Sequence, residues 1–176
     1  RVSRRYDLVV VGGGPAGLAA AAMGSQYGLS TVLLDEQHAV GGQIYRNVMS
    51  SPFTHPQTLG DDYLQGVALI EAFRRSAATH VAGASVFAVT KTEDGACEVA
   101  LTVGGEGDRR TETVIAEAVI LATGAQERPF AIPGWTLPGV MTIGAAQLLL
   151  KTSGIVPSGR LVLAGTGPLL WLLASQ

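Results

Sequence analysis

Three glycines stand at the spacing that phosphate chemistry asks of a backbone: Gly12, Gly14 and Gly17, in the run Gly12-Gly13-Gly14-Pro15-Ala16-Gly17. Asp7-Leu8-Val9-Val10-Val11 precedes them, a short apolar stretch that predicts a parallel strand buried on both faces. Small residues from Ala16 to Tyr27 predict a helix after them, with Gly28 as its C-terminal cap. In a strand, turn and helix of this kind the first glycine permits the tight turn. The second lets the backbone approach a diphosphate, and the third lets the helix pack closely on the strand. Free amides at the helix start, Pro15 and Ala16 among its first residues, combine with the helix dipole to favour an anion.

Such a turn needs an acid at the end of the next strand. Thr31 to Asp35 predicts that strand, and Asp35 and Glu36 stand at its end, Glu36 lying 19 residues after Gly17. A carboxylate there accepts hydrogen bonds from ribose hydroxyls and repels a 2′-phosphate, which favours FAD or NAD over NADP. The alternative is a plain tight turn with Glu36 as a solvated strand end. Against it, strand, turn, helix and acid fall in register within about 30 residues, the size of one βαβ unit.

The elements that must position this turn are legible further along. Val40 to Pro56 reads as loop and Asp61 to Ala78 as an amphipathic helix. Ser85 to Thr90, Cys97 to Val103 and Arg110 to Ile115 read as strands of an antiparallel meander, joined by the turns Glu93-Asp94-Gly95 and Gly104-Gly105-Glu106-Gly107. Ala118 to Ala122 reads as a separate short strand ended by Thr123-Gly124. Arg128 to Gly139 is linker-like, Thr142 caps a helix from Ile143 to Lys151, and Arg160 to Ala164 reads as another buried parallel-type strand before Gly165-Thr166-Gly167. The expected fold class is α/β, a Rossmann-like domain with a parallel sheet and an inserted antiparallel β-meander. Its expected divisions are a cofactor-binding domain over 1–127 with the meander at about 84–115, a linker and helix over 128–159, and the opening of a second dinucleotide-binding unit over 160–176.

The chain has 176 residues, 47% hydrophobic and 15% charged, with net charge −2 and no long basic run. It can bury a core, and its charge argues against nucleic acid or an anionic membrane as partner. No apolar run approaches the roughly 20 residues of a membrane span. Ser3-Arg4-Arg5 before an apolar stretch has the look of a twin-arginine export signal. Asp7 and the glycine run break that pattern, and the expected compartment is the cytoplasm. The lone Cys97 supports neither a disulfide nor a C-x-x-C electron relay, and reads as a small core residue. His38, His55 and His80 have no metal-ligand spacing and read as surface or loop residues. No G-x-S-x-G nucleophile occurs. Lys151-Thr152 lacks the glycine a P-loop needs, since Leu150 stands there. Trp135 and Trp171 read as core or interface anchors, and Arg46 as a phosphate or flavin contact or a solvated charge. No residue stands out as acid, base or nucleophile.

Gly12-Gly13-Gly14-Pro15-Ala16-Gly17, Glu36, Gly41-Gly42-Gln43 and Ala122-Thr123-Gly124 together resemble the two-dinucleotide-binding-domain flavoproteins of the pyridine nucleotide–disulfide reductase group. The resemblance, rather than the spacing, selects FAD. It implies that the first glycine run and the acid bind the FAD diphosphate and ribose. Gly41, Gly42 and Gln43 and the Ala122-Thr123-Gly124 turn would flank the same cofactor. Ile132-Pro133-Gly134 matches the loop that leads to the second domain. Gly41-Gly42-Gln43-Ile44-Tyr45-Arg46, Ala122 to Pro129 and Gly165 to Leu170 look more closely like the flavin-binding α subunits of opine oxidase, hydrogen cyanide synthase and proline or hydroxyproline dehydrogenases. That implies oxidation of a small amine, opine or imino or amino acid, or relay of its electrons to an acceptor, with either a partner subunit or a homo-oligomer; the alternatives are an NAD(P)H-dependent flavoprotein reductase and a non-catalytic nucleotide-binding subunit. Leu170 stands at the third glycine position of the second motif, which weakens NAD(P) as a second cofactor. The family's later Gly-Asp segment has no match, since Gly60-Asp61 and Gly107-Asp108 come too early. The chain starts without Met and stops just inside the second motif, so a truncated protein with weak FAD affinity is expected.

Overall fold

The apolar run after Asp7 lies at the centre of a six-stranded sheet. A computed structural model describes residues 4–105 and 107–176, so Ser3 of the export-like run and Glu106 of the second hairpin turn lie outside it. The element order is β1 (Arg4–Val11), α1 (Pro15–Gln26), β2 (Thr31–Asp35), a 3-10 turn (Pro56–Leu59), α2 (Asp61–Arg75), β3 (Thr79–Ala82), β4 (Ala84–Lys91), β5 (Cys97–Val103), β6 (Arg110–Leu121), α3 (Ile143–Ser153) and α4 (Leu169–Ser175). Strand order across the sheet is β3-β2-β1-β6-β5-β4. β1 pairs in parallel with β2 on one side and β6 on the other, and β3 runs parallel to β2. The meander β4-β5-β6 is antiparallel.

Alternation along β1 and β2 explains why both read as continuous apolar runs. Leu8, Val10 and Leu33 face a core shared with Leu18, Ile70 and Phe73 of the helices. Val9, Val11, Val32 and Leu34 face a second core with Cys97, Val99, Leu101, Val114 and Ala116 of the meander. Helices cover one face of the parallel strands and the meander covers the other. Cys97 is the small buried residue its surroundings in the sequence predict.

Four expectations need correction. The two strands expected at 110–115 and 118–122 are one strand, β6. Its first half pairs with β5 while its length runs beside β1, from Arg4↔Val114 to Val11↔Leu121. Glu117, which makes the run look interrupted, stays in the strand because β1 pairs with β6 on both sides of it (Tyr6↔Ala116, Leu8↔Ala118), and Arg5 donates to its carboxylate at 2.5 and 2.9 Å. β3 has no counterpart among the expected strands; Thr79–Ala82 is too short to announce itself and owes its form to pairing with β2. His80 is therefore a strand residue, half-buried with its ring edge-on to Phe73 at 6.2 Å. Residues 160–164 form no strand: no described residue pairs with them, and Val162 is 79% exposed. Of the two readings of the indoles, the core one fails, Trp135 being 44% and Trp171 81% exposed.

Leu33 lies at the centre of the first core with no exposure. Leu33→Ala should cost about 2–5 kcal/mol in urea denaturation, and Val162→Ala less than about 0.5 kcal/mol.

Candidate dinucleotide site

Because β1, β2, β3 and β6 are parallel, their C-terminal ends share one edge of the sheet, and the chain departs from β1 toward β2 while β6 lies on its other side. That reversal is where open α/β sheets bind ligands. Three turns meet there. The glycine turn leaves β1, residues 41–43 follow β2, and residues 122–125 follow β6. The Gly12 amide donates to the Leu34 carbonyl at 2.8 Å, the Gly41 amide to the Gly13 carbonyl at 2.8 Å, and the Ala122 amide to the Val11 carbonyl at 2.8 Å. The Gln43 side chain donates to the Ala125 carbonyl at 3.3 Å. Gly12, Gly14, Gly41, Gly42, Gln43 and Ala122 are thus brought together, with Thr123 and Gly124 continuing the third turn.

The glycines divide by the reason each is needed. Gly12 has φ +104°, and a Cβ there would strike the Ala122 carbonyl. A Cβ on Gly17 would strike the Gly12 carbonyl. These two are demanded by the fold. Gly14 is not: it has an ordinary extended backbone (φ −74°, ψ −177°), and a Cβ there would meet only the Gly42 Cα at 3.9 Å. What a side chain at Gly14 would fill is the open space in front of α1. Pro15 takes the first helical position. Among the described residues no acceptor meets the amides of Gly14, Ala16 or Gly17. Three free donors on a helix start, behind a position with no side chain, suit a diphosphate.

The two acids separate into different tasks. Asp35 is buried and turned inward: one carboxylate oxygen accepts from the Gly13 amide, the other from the Gln37 amide at 2.6 Å. It braces the glycine turn against β2. Glu36 is exposed beside it, held only by a 3.4 Å contact from the Gln37 side chain. Its carboxylate is free to accept from a sugar. Arg46 reaches the same place, donating to the Gln37 side-chain oxygen at 3.1 Å, while its Nε is buried with no described partner. Sequence reasoning does not single out Gln37, and no spacing rule would find it. The described residues contain no cluster of three or more His, Cys, Asp or Glu that could hold a metal.

The fold and the three converging turns define a dinucleotide-binding α/β protein. The family model "Pyridine nucleotide-disulphide oxidoreductase" matches residues 6–169, and the chain belongs to that family. It is 49% identical over 97% of its length to the A subunit of opine oxidase from Agrobacterium tumefaciens (strain Ach5), covering 34% of that protein. It is 38% identical over 96% of its length to the HcnB subunit of hydrogen cyanide synthase from Pseudomonas aeruginosa, covering 35% of it. The chain therefore spans about a third of the length of these curated relatives. Among solved structures, L-proline dehydrogenase from P. horikoshii matches with a TM-score of 0.67 at 21% identity, over 88% of this chain and 30% of that one, a likeness of fold. No helix among the described residues is long and apolar enough to cross a membrane.

The division of the glycines predicts opposite stabilities. Gly12→Ala and Gly17→Ala should each lose about 2 kcal/mol or more by thermal denaturation in the absence of ligand. Gly14→Ala should lose less than about 1 kcal/mol.

Proposed function

We propose that the chain is the FAD-binding portion of an oxidoreductase that oxidises a small amine, opine or imino or amino acid, or relays its electrons to an acceptor. The observation that carries the cofactor is Gly14: the fold has no use for a glycine there, and a diphosphate at the bare amides of Gly14, Ala16 and Gly17 does. In this reading Glu36 accepts from the adenosine ribose hydroxyls, and Asp35 acts indirectly by bracing the turn. Gly41, Gly42, Gln43 and the Ala122-Thr123-Gly124 turn line the cofactor. Bound FAD would supply the electron-accepting chemistry, and the protein supplies its placement. The names of the relatives, the opine oxidase A subunit and the HcnB subunit of hydrogen cyanide synthase, support the substrate class and a partner subunit.

In this reading the chain divides into a cofactor-binding domain over 1–127, a linker and helix over 128–159, and the opening of a second nucleotide-binding unit over 160–176. Against reduction by NAD(P)H at that second unit stands Leu170, which occupies the third glycine position of its motif. The cytoplasm is the compartment we favour, since the run that resembles an export signal supplies the central strand β1.

Titration with FAD, followed by quenching of flavin fluorescence, tests the cofactor. Binding to the wild type should weaken at least about tenfold in both Gly14→Ala and Glu36→Ala, with folding intact. Equal binding by all three proteins would remove this reading.

A further inference from the structure

Lys151 is one of the few charged side chains in the chain's interior, only 9% exposed near the end of α3. Its ammonium donates to the Ile44 carbonyl at 3.0 Å and the Gln43 carbonyl at 3.3 Å, and lies 5.7 Å from the centre of the Tyr63 ring. No carboxylate among the described residues lies within ion-pair distance of it. A buried cation held by neutral groups alone is costly, and burial pushes this ammonium below its ordinary range. Packing against Leu150 and the helical core would be served better by an apolar residue. The cost is explained if the cation acts on what it touches.

What it touches is the segment that closes the dinucleotide site. Gly42 lies so near the glycine turn that a Cβ there would come within 2.8 Å of the Gly14 Cα. Gln43 spans the site to Ala125. Tyr63 on α2 holds the same segment from behind, its hydroxyl donating to the Arg46 carbonyl at 2.6 Å. The other end of α3 reaches the third turn, where Glu127 accepts from the Gly144 amide at 2.9 and 3.0 Å. α3 is thus a strut tied to the 41–46 segment by Lys151 and to the 122–127 segment by Glu127. Carbonyl oxygens drawn onto Lys151 are oxygens withdrawn from a site meant for an anion.

We propose that Lys151 is a positioning residue for the dinucleotide site: it holds the Gln43 and Ile44 carbonyls so that the 41–46 segment receives an anionic diphosphate, and its charge favours that anion. This rests on the FAD reading above. The charged and titratable groups around the ammonium are few. Tyr45 and Arg46 lie in the segment itself. Tyr63, pushed up to about 12 by burial, stays neutral through ordinary alkaline pH. An anion nearby favours the protonated lysine. FAD affinity is therefore full while Lys151 is charged in the free protein, and falls as pH rises through the depressed lysine value.

The test is the FAD dissociation constant of the purified protein between pH 7 and 10, with thermal stability of the FAD-free form as control. Wild type should bind about tenfold more tightly at pH 7 than Lys151→Met, and lose that advantage toward pH 10, where the methionine variant stays flat. Lys151→Arg should recover most of the affinity at pH 7 and remain pH-independent. If Lys151→Met fails to fold, the wild-type pH profile and the arginine variant decide. Equal affinity in lysine and methionine proteins, or a wild-type profile without decline, overturns the proposal while leaving the FAD reading standing. Absence of FAD binding to the wild type removes both.

Discussion

A helix start left with unpaired amides is the feature on which the site depends, and much of the surrounding structure keeps it in that state. Gly12 and Gly17 let the turn fold so tightly that no side chain could intervene. Asp35 takes the Gly13 amide, which would otherwise compete for any ligand, and so fixes the turn to the end of β2. The Gly41 amide takes the Gly13 carbonyl, removing an oxygen that would repel an anion. What remains facing outward is donor without acceptor, at the positive end of α1. Burying β1 and β2 on both faces is what gives this arrangement a rigid base, because neither strand can shift register without moving its whole apolar set.

The glycine turn, α1 and the two strands around it are legible in the sequence because each is specified locally. β-branched runs, positive φ and close contact leave few alternatives over residues 7–35. The fold class follows from them, and the meander from its turn chemistry. What escapes the sequence depends on partners distant along the chain. β3 exists because β2 offers an edge. β6 stays continuous through Glu117 because β1 pairs with it on both sides of that residue. The same dependence works in reverse at 160–164, where a strand-like run has no described neighbour and stays irregular.

At the site, sequence position alone puts two adjacent acids at one station, and side-chain direction separates them. Asp35, the last residue of β2, is turned inward onto the Gly13 and Gln37 amides, and Glu36 lies just past the strand end, exposed. Residues 41–43 and 122–124 stand out in the sequence through resemblance alone. Their reason for being there is physical: both are packed onto the glycine turn by backbone hydrogen bonds or close contact. Lys151 has no role legible in the sequence, since the P-loop glycine is missing beside it, and its position shows it as a buried donor to the carbonyls of the second turn. Residues from three separate stretches of chain therefore meet at one edge of the sheet.

Amide resonances report on that edge directly. With isotope-labelled protein titrated with ADP, which carries the diphosphate and ribose but no flavin, the amides of Gly14, Ala16 and Gly17 should show the largest shifts, while that of Gly13, already bonded to Asp35, moves little. Saturable ADP or FAD binding with the Gly14, Ala16 and Gly17 amides unmoved would contradict the account.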